Sequence, residues 1–444
     1  MVKDLTTGKP ETVLWQFSLP MFGSVIFQQL YNIADSVIAG KFAGEDALAA
    51  VGASYPITMI FMAIAVGSNI GCSVVISQLF GGKRIAEMKT AINTALIAAL
   101  GLSVLLTVGG LIGSPAMMRM IQTPDNIFSD ADLYLRIYIG GFIFLFFYNI
   151  STSIFTALGD SKTPFYFLVG SSLGNIVLDW LFVAIFHWDV AGVAWATFLA
   201  QGVACILAMG SLLLRLKKMP ADDSVQRFSG PMLIRIARIS IPSILQQSFI
   251  SIGNIFIQSL VNGFGSSVIA GYSAAIKLNT FTITSFTTLG NGLSSFTAQN
   301  IGAQKIDRVG KGFRAGMLMA FLVAIPFFLA YFFFGNAMIS LFLEEKGGTA
   351  LETGMAFLRI ASPFYFVISV KLMADSVLRG AGDMRDFMVA TFTDLILRVV
   401  LAYVFALALH LGTTGIWLSW PVGWSIASVM SFCYYRRGRW KTNL

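Results

Sequence analysis

From Val13 onward, apolar runs of roughly 20 residues alternate with short polar breaks along the whole chain. The runs fall at approximately 14–38, 50–79, 91–113, 132–155, 164–186, 190–214, 235–260, 268–297, 314–342, 354–378, 387–409 and 413–434. A run of that length crosses about 30 Å of hydrocarbon as a helix, whereas a membrane β-barrel needs strands of roughly ten residues with alternating polarity, and the chain has no such pattern. The pattern therefore predicts an all-α polytopic membrane protein of about 12 transmembrane helices. Gly, Ala, Ser and Thr within the runs suit close helix packing in lipid.

The one sizeable polar break, RLKKMPADDSVQRFSGP at residues 215–231, lies near the midpoint and separates six runs from six. Laid over one another, the two sets pair Ser18 with Ser240, Pro20 with Pro242, Asn32 with Asn254, Gln78 with Gln299, Gly81 with Gly302 and Ile85 with Ile306. Farther on, Asp160 pairs with Asp383, His187 with His410 and Gly192 with Gly415. An internal duplication follows, with an N-lobe over 1–214, a cytoplasmic linker over 215–234 and a C-lobe over 235–444. An even number of spans per half makes the repeats parallel, related by an axis along the membrane normal. That architecture favours a transporter with its substrate site between the halves.

Composition changes this picture little, but charge orients it. Charged residues make up 12% of the chain, and the net charge is +8. With the N-terminus inside, the cytoplasmic segments collect about 22 of the 30 Lys and Arg residues. The basic excess is thus topological, and a nucleic-acid partner loses its support. The expected location is a bacterial-type inner membrane, multi-pass, with both termini cytoplasmic. The opening MVKDLTTGKPETVLW lacks the pattern of a cleaved signal, so the first apolar run reads as a retained span. Cys72, Cys205 and Cys433 sit in apolar runs without metal or disulfide spacing and read as core residues.

Charges within spans are costly and require partners, water or a function. Seven stand out: Asp35, Asp179, Lys277, Lys371, Asp375, Asp394 and Arg398. In the second half, Lys371 and Asp375 are spaced i, i+4, as are Asp394 and Arg398, so each pair shares a helix face and can neutralise itself. Most of these fall toward the inner leaflet, where long side chains can snorkel. A structural role is the expectation there. Lys277 lies in the outer half of its span and suits either a water-filled cleft or an inter-helix ion pair.

The first half differs, because no Lys or Arg lies within its spans to balance Asp35 and Asp179. Asn175 lies one turn before Asp179 on the same helix face, and Thr197 adds a hydroxyl from the next helix. Counted from the span ends, Asp35, Asn175, Asp179 and Thr197 fall in one outer-half layer, roughly 10 Å deep. Such a cluster can hold protons, since burial raises carboxyl pKa values, or its oxygens can coordinate a hard cation such as Na+. Tyr134 and Tyr138 begin the fourth span near this layer, as orienting groups or as interfacial belt residues; Asn149 counts as deeper. Pro20 removes a backbone hydrogen bond four turns before Asp35 and permits a kink, static or hinged.

Two six-helix halves, the Asp35 segment LYNIADSVIAG, LFGG at 79–82, ALGDSKTPF followed by NIVLD, and VLRGAGDMR together resemble the multidrug and toxic compound extrusion (MATE) transporters over essentially the whole chain. The resemblance implies a V-shaped pair of lobes that works by alternating access as a secondary active antiporter. Its substrates would be small amphipathic organic cations, exported in exchange for Na+ or H+, with no other cofactor. It maps an N-lobe cation site onto Asp35, Asn175, Asp179 and Thr197, with Tyr134 and Asn149 as further members, and gives Pro20 the place of a first-helix proline linked to bending. The chain departs from one branch of that family in having no acidic residue in QQSFISIGNIFIQSLV, the seventh span, which turns the expectation toward the N-lobe. A monomer in the lipid bilayer is expected.

Two rivals are weaker. A flippase for lipid or polysaccharide precursors needs cationic residues in its cavity, and the first-half spans offer none beyond what Lys277, Lys371 and Arg398 supply in the second. An intramembrane enzyme needs a catalytic constellation, and His187 and His410 stand at matching outer span ends without metal-ligand spacing.

Overall fold

The computed structural model describes residues 4–38, 44–221, 223–343 and 348–441, apart from the side chains of 33–49. Every regular element among the described residues is helical, as backbone that must satisfy its own hydrogen bonds in lipid requires. The first repeat runs α1 (Pro10–Ile38), α2 (Gly44–Gly81), α3 (Ile85–Met120), α4 (Asp125–Ala157), α5 (Lys162–Asp179), a π-helical turn (Trp180–Ile185) and α6 (Asp189–Lys217). The second runs α7 (Gly230–Asn262), α8 (Ser266–Gly302), α9 (Ile306–Phe333), a short α10 (Gly335–Ser340), α11 (Thr349–Ala361), a 3-10 turn (Ser362–Phe364), α12 (Tyr365–Ala381), α13 (Met384–Tyr403), a π-helical turn (Val404–Ala408) and α14 (Gly412–Arg437). Ten helical stretches among the described residues are long and apolar enough to cross a membrane, α11 and α12 counting as one stretch broken at Pro363.

The chain divides into two compact units, Met1–Asp4 with Gly23–Ile244, and Leu5–Phe22 with Leu245–Leu444. These bounds differ from the 1–214 and 235–444 division read from the sequence in two places. The first half of α1 belongs to the second unit, and the first half of α7 to the first. Both changes of unit fall two residues after a helix proline, Pro20 in α1 and Pro242 in α7.

Within the first unit, α4 packs on α2, α3 and α6, and α5 lies along α6. The first half of α7 crosses α2 at Gly67 and Gly71, a G-x-x-x-G pair that lets two helix backbones approach closely. A Cβ on Gly71 would stand 2.0 Å from Ser240 Oγ and 2.7 Å from the Ser240 backbone nitrogen. The segment before α7 is tied to α3, where Thr90 Oγ1 accepts from Gln226 N at 3.1 Å and Thr94 Oγ1 from Ser229 N at 3.0 Å.

The second unit repeats the plan. α8 packs on α9, α11 and α12, and α14 on α11, α12 and α13. The first half of α1 meets α8 at Gly292, where a Cβ would stand 2.5 Å from Ser18 Oγ. The segment before α1 is fastened in turn: Leu5 N donates to Gln299 Oε1 at 3.0 Å, Lys305 Nζ to Thr6 O at 2.8 Å and Arg308 Nη1 to Gly8 O at 2.7 Å.

The repeats part company at one turn. Gly159 and Gly382, at φ 78° and 83°, end α4 and α12 in the left-handed region that a side chain resists, and the aspartate after each starts the next helix. Asp160 accepts from Thr163 N at 3.1 Å and from the Thr163 hydroxyl at 2.8 Å, and it is ion-paired to Arg215 at the end of α6. Burial opposes its ionisation, but the Arg215 and Thr163 hydrogen bonds outweigh it and hold the carboxyl below its ordinary value. Asp383 caps α13 through Asp386 N at 3.5 Å, and the residue matching Arg215 is Gly438. Burial and the adjacent Asp386 charge push that carboxyl up.

A depressed folded value contributes stability above the ordinary carboxyl range and loses it as pH falls through the folded value. Asp160→Asn is thus expected to lower stability by about 1–2 kcal/mol near neutral pH, the scale of a partly exposed charged hydrogen bond. Its melting temperature should converge with that of the wild type on acidification, in thermal unfolding followed across pH in detergent.

Candidate cation-coupling site

Asp179 and Asn175 lie within the first unit, on the buried face of α5. Asp179 is 1% exposed and Asn175 4%. One helical turn apart, they are joined by a hydrogen bond from Asn175 Nδ2 to Asp179 Oδ2 at 2.9 Å. The Asn175 carbonyl oxygen accepts in turn from the Tyr31 hydroxyl of α1. A hydrogen-bonded chain therefore runs from α1 through an amide to a buried carboxylate. Tyr31 belongs to the second half of α1, which packs in this unit, and it stands one turn before Asp35 on the same helix face. Asp35 lies on α1, and its side chain falls outside the described residues.

Asp179 is also the last α-helical residue before the π-helical turn Trp180–Ile185. Such turns re-aim the side chains around them and recur at functional sites. Val183 of this turn and Val193 of α6 pack against Tyr134, whose ring stacks on Tyr138 at 6.5 Å between centroids. Thr197 is half-buried on α6, the helix that packs along α5. Asn149 donates from Nδ2 to the Leu145 carbonyl of its own helix at 2.8 Å. It stands 15 residues from Tyr134 on α4, which is about 22 Å along the axis, so one ion cannot touch both.

The sequence missed Tyr31. Its i, i+4 spacing to Asp35 was the available signal, and a tyrosine near a span end reads first as a belt residue. The π-helical turns after α5 and α13 also left no mark in the periodicity. His187 and His410, at φ 56° and 52°, close the turns that follow them.

The second-half charges behave differently. Lys371, Asp375, Asp394 and Arg398 are all buried inside the second unit, at 3%, 4%, 6% and 7% exposure, so none of them snorkels to an interface. Lys371 Nζ donates to Asp375 Oδ2 at 2.7 Å, as its spacing allows, and the other Asp375 oxygen accepts from Ser431 Oγ at 2.6 Å. The self-neutralising Asp394 and Arg398 pair is not made. Asp394 Oδ2 instead lies 3.9 Å from Lys371 Nζ, and the Arg398 guanidinium sits 4.4 Å above the Trp420 ring. A cation over an indole face gains from the ring quadrupole without a carboxylate. Lys277 is exposed, with Nζ 5.6 Å from the Phe342 ring centroid.

The sequence model of the MatE family matches residues 20–181 and 242–404, one stretch in each repeat, beginning at the paired prolines. The chain belongs to the MatE family. It is similar to the probable multidrug resistance protein YpnP of Bacillus subtilis (strain 168), 31% identical over 446 residues that cover 99% of this chain and 97% of that protein. The probable multidrug resistance protein YoeA of the same organism is 26% identical over 444 residues, covering 97% and 96%. The fold matches the solved structure of a MOP superfamily transporter from Pyrococcus furiosus with a TM-score of 0.91 at 24% identity, over 98% of this chain and 97% of that one. As a member of the MATE multidrug efflux transporter family, the protein carries the buried Asp179 and Asn175 pair in the first unit and the Lys371, Asp375, Asp394 and Arg398 quartet in the second.

Proposed function

We propose that this MATE protein is a secondary active antiporter that exports small amphipathic organic cations in exchange for Na+ or H+, taken up at Asp179 with Asn175, Thr197 and Asp35. The observation that carries the reading is the chain from Tyr31 through Asn175 to the buried Asp179 carboxylate. A carboxylate removed from water favours a proton or a coordinated cation, and the amide holds one of its oxygens in place. Because Tyr31 belongs to α1 and Asp179 to α5, the charge state of the carboxylate acts on how α1 sits in its own unit. Ion and drug then favour different conformations, and linkage makes each weaken the binding of the other. The names of the Bacillus subtilis relatives support multidrug substrates. The charge distribution supports an inner-membrane protein with both termini cytoplasmic.

A flippase would want cationic side chains open to a cavity, and Lys371 and Arg398 are enclosed within their own unit. The test is transport of an ethidium-like dye by purified protein in vesicles, with Na+ and H+ gradients imposed separately. Dye movement driven by one gradient is expected and names the ion. Dye movement that ignores both gradients overturns the antiport.

A further inference from the structure

The quartet in the second unit is neutral when both acids are ionised, yet its four members are unequally satisfied. Asp375 has a hydrogen-bond partner on each oxygen, the Lys371 ammonium and the Ser431 hydroxyl. Asp394 has neither. Its Oδ2 is 3.9 Å from Lys371 Nζ, beyond hydrogen-bond range, and its Oδ1 is buried with no partner. Arg398, one turn away on α13, leaves Nε and Nη2 unpartnered as well, because its guanidinium lies over Trp420.

We propose that Asp394 is a proton-exchange residue of the second unit, taking a proton on Oδ1. A buried carboxylate can only accept hydrogen bonds, and this one receives none. Protonation turns Oδ1 into a donor and removes a charge that the low-dielectric interior penalises. The usual objection is that a neutral Asp394 leaves one positive charge too many. Here that charge has a second home: Lys371 remains paired with Asp375, and Arg398 keeps its place on the indole face.

The charges within reach of Asp394 are those of Lys371, Arg398 and Asp375. From α12, Arg379 lies farther off and acts on Asp375. From α8, the Tyr272 phenol faces Arg398. α14 presents Trp420, Ser431 and Gly423, none of which titrates. At Gly423 the missing side chain leaves a methyl-sized space beside Oδ1, since a Cβ there would stand 3.4 Å from that oxygen.

The proposal stands on the second unit alone and does not depend on the ion taken at Asp179. Its test is infrared difference spectroscopy of the full-length protein in lipid between alkaline and acidic buffer, reading the C=O stretch of protonated carboxyls. Asp394→Asn is expected to lose one component of the wild-type band, and Asp394→Glu to keep the component with a displaced titration midpoint. A folded Asp394→Asn protein that retains the whole band overturns the proposal. Where that variant does not fold, an Asp394→Glu protein with an unmoved midpoint overturns it instead. Asp179→Asn should leave the Asp394 component in place, which separates failure here from failure of the antiport site.

Discussion

Asp179→Asn is expected to abolish ion-driven export of an ethidium-like dye from whole cells while the protein reaches the membrane at its ordinary level. The substitution keeps the size of the side chain and alters only what one buried group can do. An amide carries no charge and does not take up a proton in this range, and it binds a hard cation far more weakly than a carboxylate. Hydrogen bonds to a charged group are worth about 1.5–3 kcal/mol, so losing the charge removes roughly one to two orders of magnitude of ion affinity. Tyr31→Phe should fall between the two, with a roughly fivefold loss, because it deletes one neutral hydrogen bond of about 1 kcal/mol to Asn175 and leaves the carboxylate in place. Efflux rates in cells with matched expression decide the matter. An Asp179→Asn protein that exports dye like the wild type removes the coupling role.

Lys371→Met should be the most destabilising single substitution in the second unit, by about 3–5 kcal/mol, because it removes the ammonium between the buried acids Asp375 and Asp394, hydrogen-bonded to the first and 3.9 Å from the second. Asp375→Leu should cost a similar amount by stranding the ammonium. Combining Lys371→Met with Asp375→Leu removes one charge of each sign and restores the balance, so most of the loss should be recovered. Thermal unfolding in detergent gives the three differences, and the cycle isolates the coupling between the pair. Simple addition of the two single losses in the double variant would show that the pair is not a unit.

Much of this was legible in the sequence, because lipid enforces strong rules. Span lengths, the duplication and the enclosure of Asp179 with Asn175 follow from hydropathy, repeat offsets and helix periodicity, and the structure brings Asn175 and Asp179 together at 2.9 Å. What escaped depends on tertiary packing. Spacing of i, i+4 permits an ion pair without imposing one: Lys371 takes Asp375, while Arg398, at the same spacing from Asp394, finds an indole within reach and turns to it. The changes of unit within α1 and α7 are likewise invisible locally. Pro20 and Pro242 mark where each helix can yield, but the Gly71 and Gly292 crossings that hold the first halves lie on other helices.

The guanidinium over Trp420 says something about how the duplicated halves diverged. The spacing that carries Asp160 to Asp383 and Gly192 to Gly415 also carries Asn175 to Arg398, Asp179 to Ala402 and Thr197 to Trp420. The spacing that carries Asn32 to Asn254 takes Tyr31 to Gly253, and a Cβ on Gly253 would stand 3.8 Å from Arg398 Nη2. Arg398 therefore occupies the second-repeat edition of the amide and acid cluster, with the tyrosine reduced to glycine beside it and the acid replaced by alanine. The second repeat keeps a cation at this address as a covalent part of the chain. A tethered cation cannot dissociate, so the second copy holds a fixed positive charge at the address where the first holds an amide beside a buried acid.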